Sequence, residues 1–152
     1  MKRTLLLATA LVAASLMPHA AAAEPPDPCK MVSTADVGKA LGTPVTSTTA
    51  RHAGTCSFRT AAFTSLTITV VPQSSSAEAK SQYHDMVTNK LNYAAPSVDV
   101  LGLGDEAHRL GPMIYVLKGS TIYTFTMIGK DGNGAGAVRT IALARAGIAH
   151  VH

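Results

Sequence analysis

Two successive segments, 113–117 and 121–128, read as β-strands with no polar face. Ile114, Val116 and Ile122 point to one side, and Tyr115, Leu117, Tyr123, Phe125 and Met127 to the other. A strand that is apolar on both faces is normally covered on both faces. The chain must therefore supply helices to two sides of a sheet. Otherwise the aromatic side, with Tyr115, Tyr123 and Phe125, faces a ligand groove or a partner.

Three segments have helical signals. Residues 34–41 follow Ser33, an N-cap residue with Asp36 at the capping-box position, and end at Gly42 and Pro44. Ser76 is the N-cap residue of a helix expected to run to about Leu91, with Ala79, Tyr83, Met86, Val87 and Leu91 on one stripe and Asn92 and Pro96 ending the run. Residues 135–149 place Ala137, Ile141, Ala144 and Ile148 on one face.

Between them lie strands. Residues 45–50 are Thr-rich and suit a sheet edge, and 56–59 alternate. In 65–71, Leu66, Ile68 and Val70 point one way while Thr67 and Thr69 point to water. Short strands are expected at 97–101 and 106–110, with a turn at Gly102-Leu103-Gly104-Asp105. The hairpin 113–128 turns at Lys118-Gly119-Ser120. The order is helix, three strands, helix, about four strands, helix. It never alternates as βαβ, so the expected fold is a single α+β domain with helices packed, sandwich-like, on a largely antiparallel sheet.

The N-terminus reads as a secretory signal. Lys2 and Arg3 precede the apolar stretch Thr4–Met17, Pro18 breaks it, and Ala20–Ala23 supply small residues at −1 and −3. The apolar stretch falls short of the ~20 residues that a membrane-spanning helix needs. Cleavage is expected after Ala23, which divides the chain into a signal (1–23), a Pro-rich tether (24–28) and the domain (29–152). The expected location is the periplasm or outside the cell, with no transmembrane segment in the mature chain.

Cys29 and Cys56 are the only cysteines. In an oxidising compartment an even pair reads as a disulfide; the alternative is a catalytic or metal-binding thiol. A bridge would close a loop of 26 intervening residues, which stabilises by about 3–4 kcal/mol in the chain-entropy picture. The 13 Lys and Arg, less Lys2 and Arg3, leave 11 against nine acids beyond Ala23. They are scattered, without a basic run or interleaved aromatics, so nucleic acid is not an expected partner.

The run Pro28-Cys29 through Asp36 to Leu41-Gly42-Thr43-Pro44, with Cys56 two residues before Phe58 and Gly102-Leu103-Gly104-Asp105-Glu106-Ala107, resembles a family of small exported bacterial proteins and lipoproteins of unknown function. The resemblance spans residues 28–128. It implies a Cys29–Cys56 bridge and an α+β sandwich, and it assigns no activity. The lipid-acceptor Cys of many members is missing here, so membrane attachment is not carried over.

Few residues offer chemistry. Asp105, Glu106 and His108 form the densest polar cluster and suit a divalent metal or acid–base work. However, Asp105 and Glu106 are adjacent and would leave a strand on opposite faces, and Asp105 suits a role satisfying backbone donors in the Gly turn. Gly102-Leu103-Gly104 lacks the third Gly, the Lys and the following helix of a phosphate loop. His150 and His152 are a second weak metal candidate at a terminus. In Tyr83-His84-Asp85 the stripe places Tyr83 in the core and the other two toward solvent. No cofactor is implied.

The expected function is a non-enzymatic exported binding module for a small apolar ligand or an envelope component, with Tyr115, Tyr123 and Phe125 as the contact residues. The alternative is an inhibitor or immunity-type protein partner of a secreted enzyme. An enzyme centred on Asp105, Glu106 and His108 is the weakest reading.

Overall fold

The structure, a computed structural model, describes residues 24–52, 54–88, 97–129 and 135–151. The segment 1–23, read above as a signal, and His152 lie outside them. So does the end of the second helix pattern from Asn89 on.

The domain is α+β. Its elements are α1 (Thr34–Leu41), β1 (Val45–Arg51), β2 (Thr55–Thr60), β3 (Ser65–Pro72), α2 (Ser76–Thr88), β4 (Ser97–Asp99), β5 (Glu106–Leu110), β6 (Met113–Lys118), β7 (Thr121–Ile128) and α3 (Ala135–Ala149). The strands form one sheet in the order β1-β2-β3-β7-β6-β5-β4. Every neighbouring pair is antiparallel.

The local chemistry of α1 follows its sequence. The Asp36 backbone N–H donates to Ser33 Oγ at 3.0 Å, and the Ser33 hydroxyl donates to Asp36 Oδ2 at 2.6 Å. Gly42 ends the helix in the left-handed region, at φ 71°, where glycine carries no Cβ penalty. The start of α2 differs from expectation by one residue. Ser75, not Ser76, is its cap: its Oγ accepts the Glu78 N–H, and its carbonyl accepts the Ala79 N–H. Glu78 in turn accepts from the Ser74 backbone and hydroxyl.

Helices α1 and α3 pack on one face of the sheet. Val37, Leu143, Ala144 and Ile148 meet Cys56, Phe58, Leu66, Ile68, Val70, Ile114, Val116, Tyr123, Phe125 and Met127 there. On the opposite face, α2 places Ala79, Tyr83 and Val87 on Leu110, Tyr115, Leu117 and Ile122. Each of α1 and α2 precedes a run of strands, but the two units are not a rotated pair. A two-fold relating antiparallel β3 and β7 would keep both helices on one face, and they lie on opposite faces.

The two faces of the hairpin differ from those expected. Val116 pairs with Tyr123, Ile114 with Phe125, and Leu117 with Ile122. The two-residue turn pairs odd residues with even ones. Tyr123, Phe125 and Met127 therefore join Ile114 and Val116 under α1 and α3, while Tyr115 and Leu117 join Ile122 under α2. The expected strand 97–101 is shorter: after Asp99 the chain turns, and the Val100 N–H donates to the Ala107 carbonyl at 2.8 Å.

The two cysteines form a disulfide, Cys29–Cys56. It fastens the chain ahead of α1 to β2 from the core side, where Cys56 is fully buried. Residues 24–28, read as a tether, line a hollow with Gly54, Val70 and Pro72. Pro28 is buried there, and Asp27 accepts from the Cys29 and Lys30 backbone N–H groups.

Candidate functional site

Strand β5 presents Glu106 and His108 to the same face, two residues apart, toward α2. Helix α2 brings Lys80 and His84, one turn apart, to either side of Glu106. Lys80 Nζ lies 2.9 Å from Glu106 Oε1, and His84 Nε2 lies 2.7 Å from Oε2. These contacts, His84 first and then Lys80, hold the Glu106 carboxyl below its ordinary range.

A second chain of contacts runs beside the first. Tyr83 Oη is 2.6 Å from His108 Nδ1, and His108 Nε2 is 3.0 Å from Asp99 Oδ1. An ionised carboxylate only accepts, so Nε2 carries a hydrogen. In the neutral ring, Nδ1 then accepts from the Tyr83 hydroxyl. Tyr83 is fully buried. Burial first, then the charges of Glu106 and Asp99, raise its pKa above the ordinary tyrosine range. The phenol is thus held protonated at neutral pH and donates to His108. His84, expected to face solvent, is half-buried on Glu106.

Asp105 takes no part in this cluster. Its backbone N–H donates to the Leu117 carbonyl at 2.8 Å, and its Oδ2 accepts the Gly119 N–H at 2.7 Å. It therefore clasps the turn between β6 and β7. Gly104 makes the approach possible: its φ is 63°, and a Cβ there would sit 2.5 Å from the Leu117 oxygen. Gly102-Leu103-Gly104-Asp105 is thus a structural clasp, with Leu103 buried beneath it. Among the described residues, no group of three or more His, Cys, Asp or Glu side chains is placed to hold a metal ion. His150 is exposed just beyond α3.

The three aromatic candidates are not brought together. Tyr123 and Phe125 are buried under α1 and α3, and Tyr115 is buried on the other face against α2. Burial raises the Tyr123 pKa, partly offset by a hydrogen bond with Thr121. A single aromatic groove formed by Tyr115, Tyr123 and Phe125 is therefore excluded by the parity of the hairpin. Three surface hollows among the described residues run along α1, along residues 24–28, and between α1 and α3, and none of these three is lined by the aromatic side chains.

Among the described residues, no helix covers the β1–β3 half of the sheet face that α2 packs on. Helix α2 packs on β6 and β7. On the same face, β1, β2 and β3 carry hydroxyls in cross-strand rows. Thr49 lies beside Ser57, Ser57 beside Thr67, and Thr67 beside Thr126. Arg51 lies beside Thr55, Thr55 beside Thr69, and Thr69 beside Thr124. Arg59, next to Ser47 and Ser65, completes the surface. Thr49, Arg51 and Arg59 are exposed, and Thr55, Thr67 and Thr69 are half-buried. Thr67 and Thr69 were legible as a wet face; Thr55, Arg51 and Arg59 joined them only once the strand register was known, and Ser57, on the same face, is buried between Thr49 and Thr67. These rows hold two guanidinium groups and no carboxylate. No described helix is long and apolar enough to cross a membrane. No protein-family model, curated protein or solved structure matches this chain.

Proposed function

We propose that this protein is a non-enzymatic, exported binding module that docks an anionic, hydroxyl-rich component of the cell envelope on the open half of its sheet. The observation that carries this reading is the pair of hydroxyl rows across β1–β3, flanked by Arg51 and Arg59 with no acid among them. Threonine and serine hydroxyls both donate and accept, which suits the hydroxyls of a sugar polymer. Arginine supplies forked donors for carboxylate or phosphate. A small apolar ligand fits this surface poorly, so the envelope component is the better occupant.

Export is part of the same reading. Its supports are the signal-like residues 1–23, a disulfide of the kind that oxidising compartments maintain, and the resemblance to small exported bacterial proteins. The polar cluster of Lys80, His84, Glu106, His108, Asp99 and Tyr83 is read as a clamp holding α2 to β5, because its members satisfy one another.

Binding of polygalacturonate, with neutral dextran as control, tests the reading. The protein should bind polygalacturonate, not dextran, and the affinity should fall as salt rises. The double variant Arg51→Ala, Arg59→Ala should lose about tenfold or more, as expected for two charge-assisted contacts. Equal binding of both polymers, or an unchanged affinity in the double variant, would contradict it. A stable stoichiometric complex with a secreted enzyme, insensitive to Arg51 and Arg59, would instead favour an inhibitor.

A further inference from the structure

The two edges of the sheet are unlike. Edge strands expose unpaired N–H and C=O groups, and proteins blunt them by shortness, Lys, Pro or bulges. The β4 edge has three residues. The β1 edge has seven, with no Lys and no Pro, and every residue after Val45 is exposed. Its one irregularity, between Val45 and Ser47, leaves Ser47–Arg51 in unbroken register with β2.

We propose that the free edge of β1 is a self-association site, where a second copy of this chain adds its own β1 antiparallel about a two-fold axis at Thr49. That register sets Thr49 against the second copy's Thr49, a favourable cross-strand pair. It sets Arg51 against the second copy's Ser47 and Thr48 against its Ala50. Arg51 is the only charge on the strand. The two copies of Arg51 stay four residues apart along the ribbon, about 13 Å at the usual strand rise. That exceeds the screening length of about 8 Å at physiological salt. The edge therefore complements itself without opposing like charges, so the strand's own charge pattern accommodates a second copy as its occupant.

A two-fold axis perpendicular to the sheet keeps like faces on the same side. The hydroxyl and arginine rows of both copies then form one continuous surface across β1. Five paired residues bury less than the roughly 1,200 Å² of a stable interface, so the dimer is reversible and depends on concentration. The edge argument does not require the anionic-partner reading, since self-association is measured without ligand.

Sedimentation velocity of the purified, non-reduced chain over a wide concentration range should show monomer passing into dimer. Thr49→Lys places like charges directly opposite and should weaken the dimer by roughly tenfold, with unchanged far-ultraviolet circular dichroism. Under mild oxidation, Thr49→Cys should give a cross-linked dimer faster than Ser81→Cys, which places an exposed thiol on α2. A monomer at every concentration, a dimer indifferent to Thr49→Lys, or equal cross-linking by the two cysteine variants would overturn the proposal.

Discussion

One face of the sheet is built in two ways. Over β5–β7 it carries Leu110, Tyr115, Leu117 and Ile122 beneath α2. Over β1–β3 the corresponding positions are Thr, Ser and Arg, apart from Val71 beside Ile122. The strands differ less in backbone than in what their alternate positions ask for. Strand β7 belongs to both halves: Ile122 is buried under α2, while Thr124 and Thr126 are half-buried at the margin. The difference teaches that a helix covers only as far as apolar side chains demand it. Where the alternation turns to hydroxyls, the sheet is left for solvent or a partner.

The contrast is sharpest within β7 itself. Phe125→Ala should destabilise by about 3–5 kcal/mol through lost burial and a cavity. Thr124→Ala, one residue away, should stay within about 0.5 kcal/mol. Urea unfolding midpoints measure both, and equal costs would erase the distinction between the faces. Cys29→Ser with Cys56→Ser should lower stability by about 2–5 kcal/mol. A thermal midpoint insensitive to reductant would show that the bridge does not hold the N-terminal segment to β2.

The clamp beneath α2 has a smaller and pH-dependent share. Tyr83→Phe leaves His108 Nδ1 without its donor and should cost about 1–2 kcal/mol. Because the folded-state pKa of Tyr83 is raised, its contribution is complete below the unfolded value of about 10 and declines as pH climbs above it. The Phe variant should lack that alkaline decline. Glu106 behaves oppositely, since its folded pKa is lowered. Its contribution is present above the unfolded carboxylate value of about 4.3 and is lost as pH falls through the folded one. Glu106→Gln should flatten the acid limb of stability against pH, and an unaltered limb would show that the Lys80 and His84 contacts contribute nothing. Smallest of all, Thr67→Ala and Thr69→Ala on the open half should shift the unfolding midpoint by no more than about 0.5 kcal/mol.

Much of this architecture was legible from local signals. Ser33, Asp36 and Gly42 bound α1 because capping chemistry is local. Leu66, Ile68 and Val70 marked the core face of β3 because a strand's period is two. The sides of the hairpin were not legible without its turn: pairing Lys118 with Thr121 moves Tyr123 and Phe125 to the face opposite Tyr115. The contact between Tyr83 and His108 was hidden for another reason. The residues are 25 apart and belong to elements that meet only through tertiary packing. Asp105 was readable as a backbone acceptor in a Gly turn, but not as the clasp on Gly119. The open surface was half visible, in Thr67 and Thr69, because its remaining members sit on strands whose register comes from pairing.

Nuclear magnetic resonance shift mapping during titration with polygalacturonate tests the central claim most directly. The account predicts perturbations concentrated at Arg51, Thr55, Ser57, Arg59, Thr67 and Thr69, fading with salt and absent from α2 and α3. Perturbations centred on α2 or α3, or none at ligand levels that saturate other polyanion binders, would contradict it.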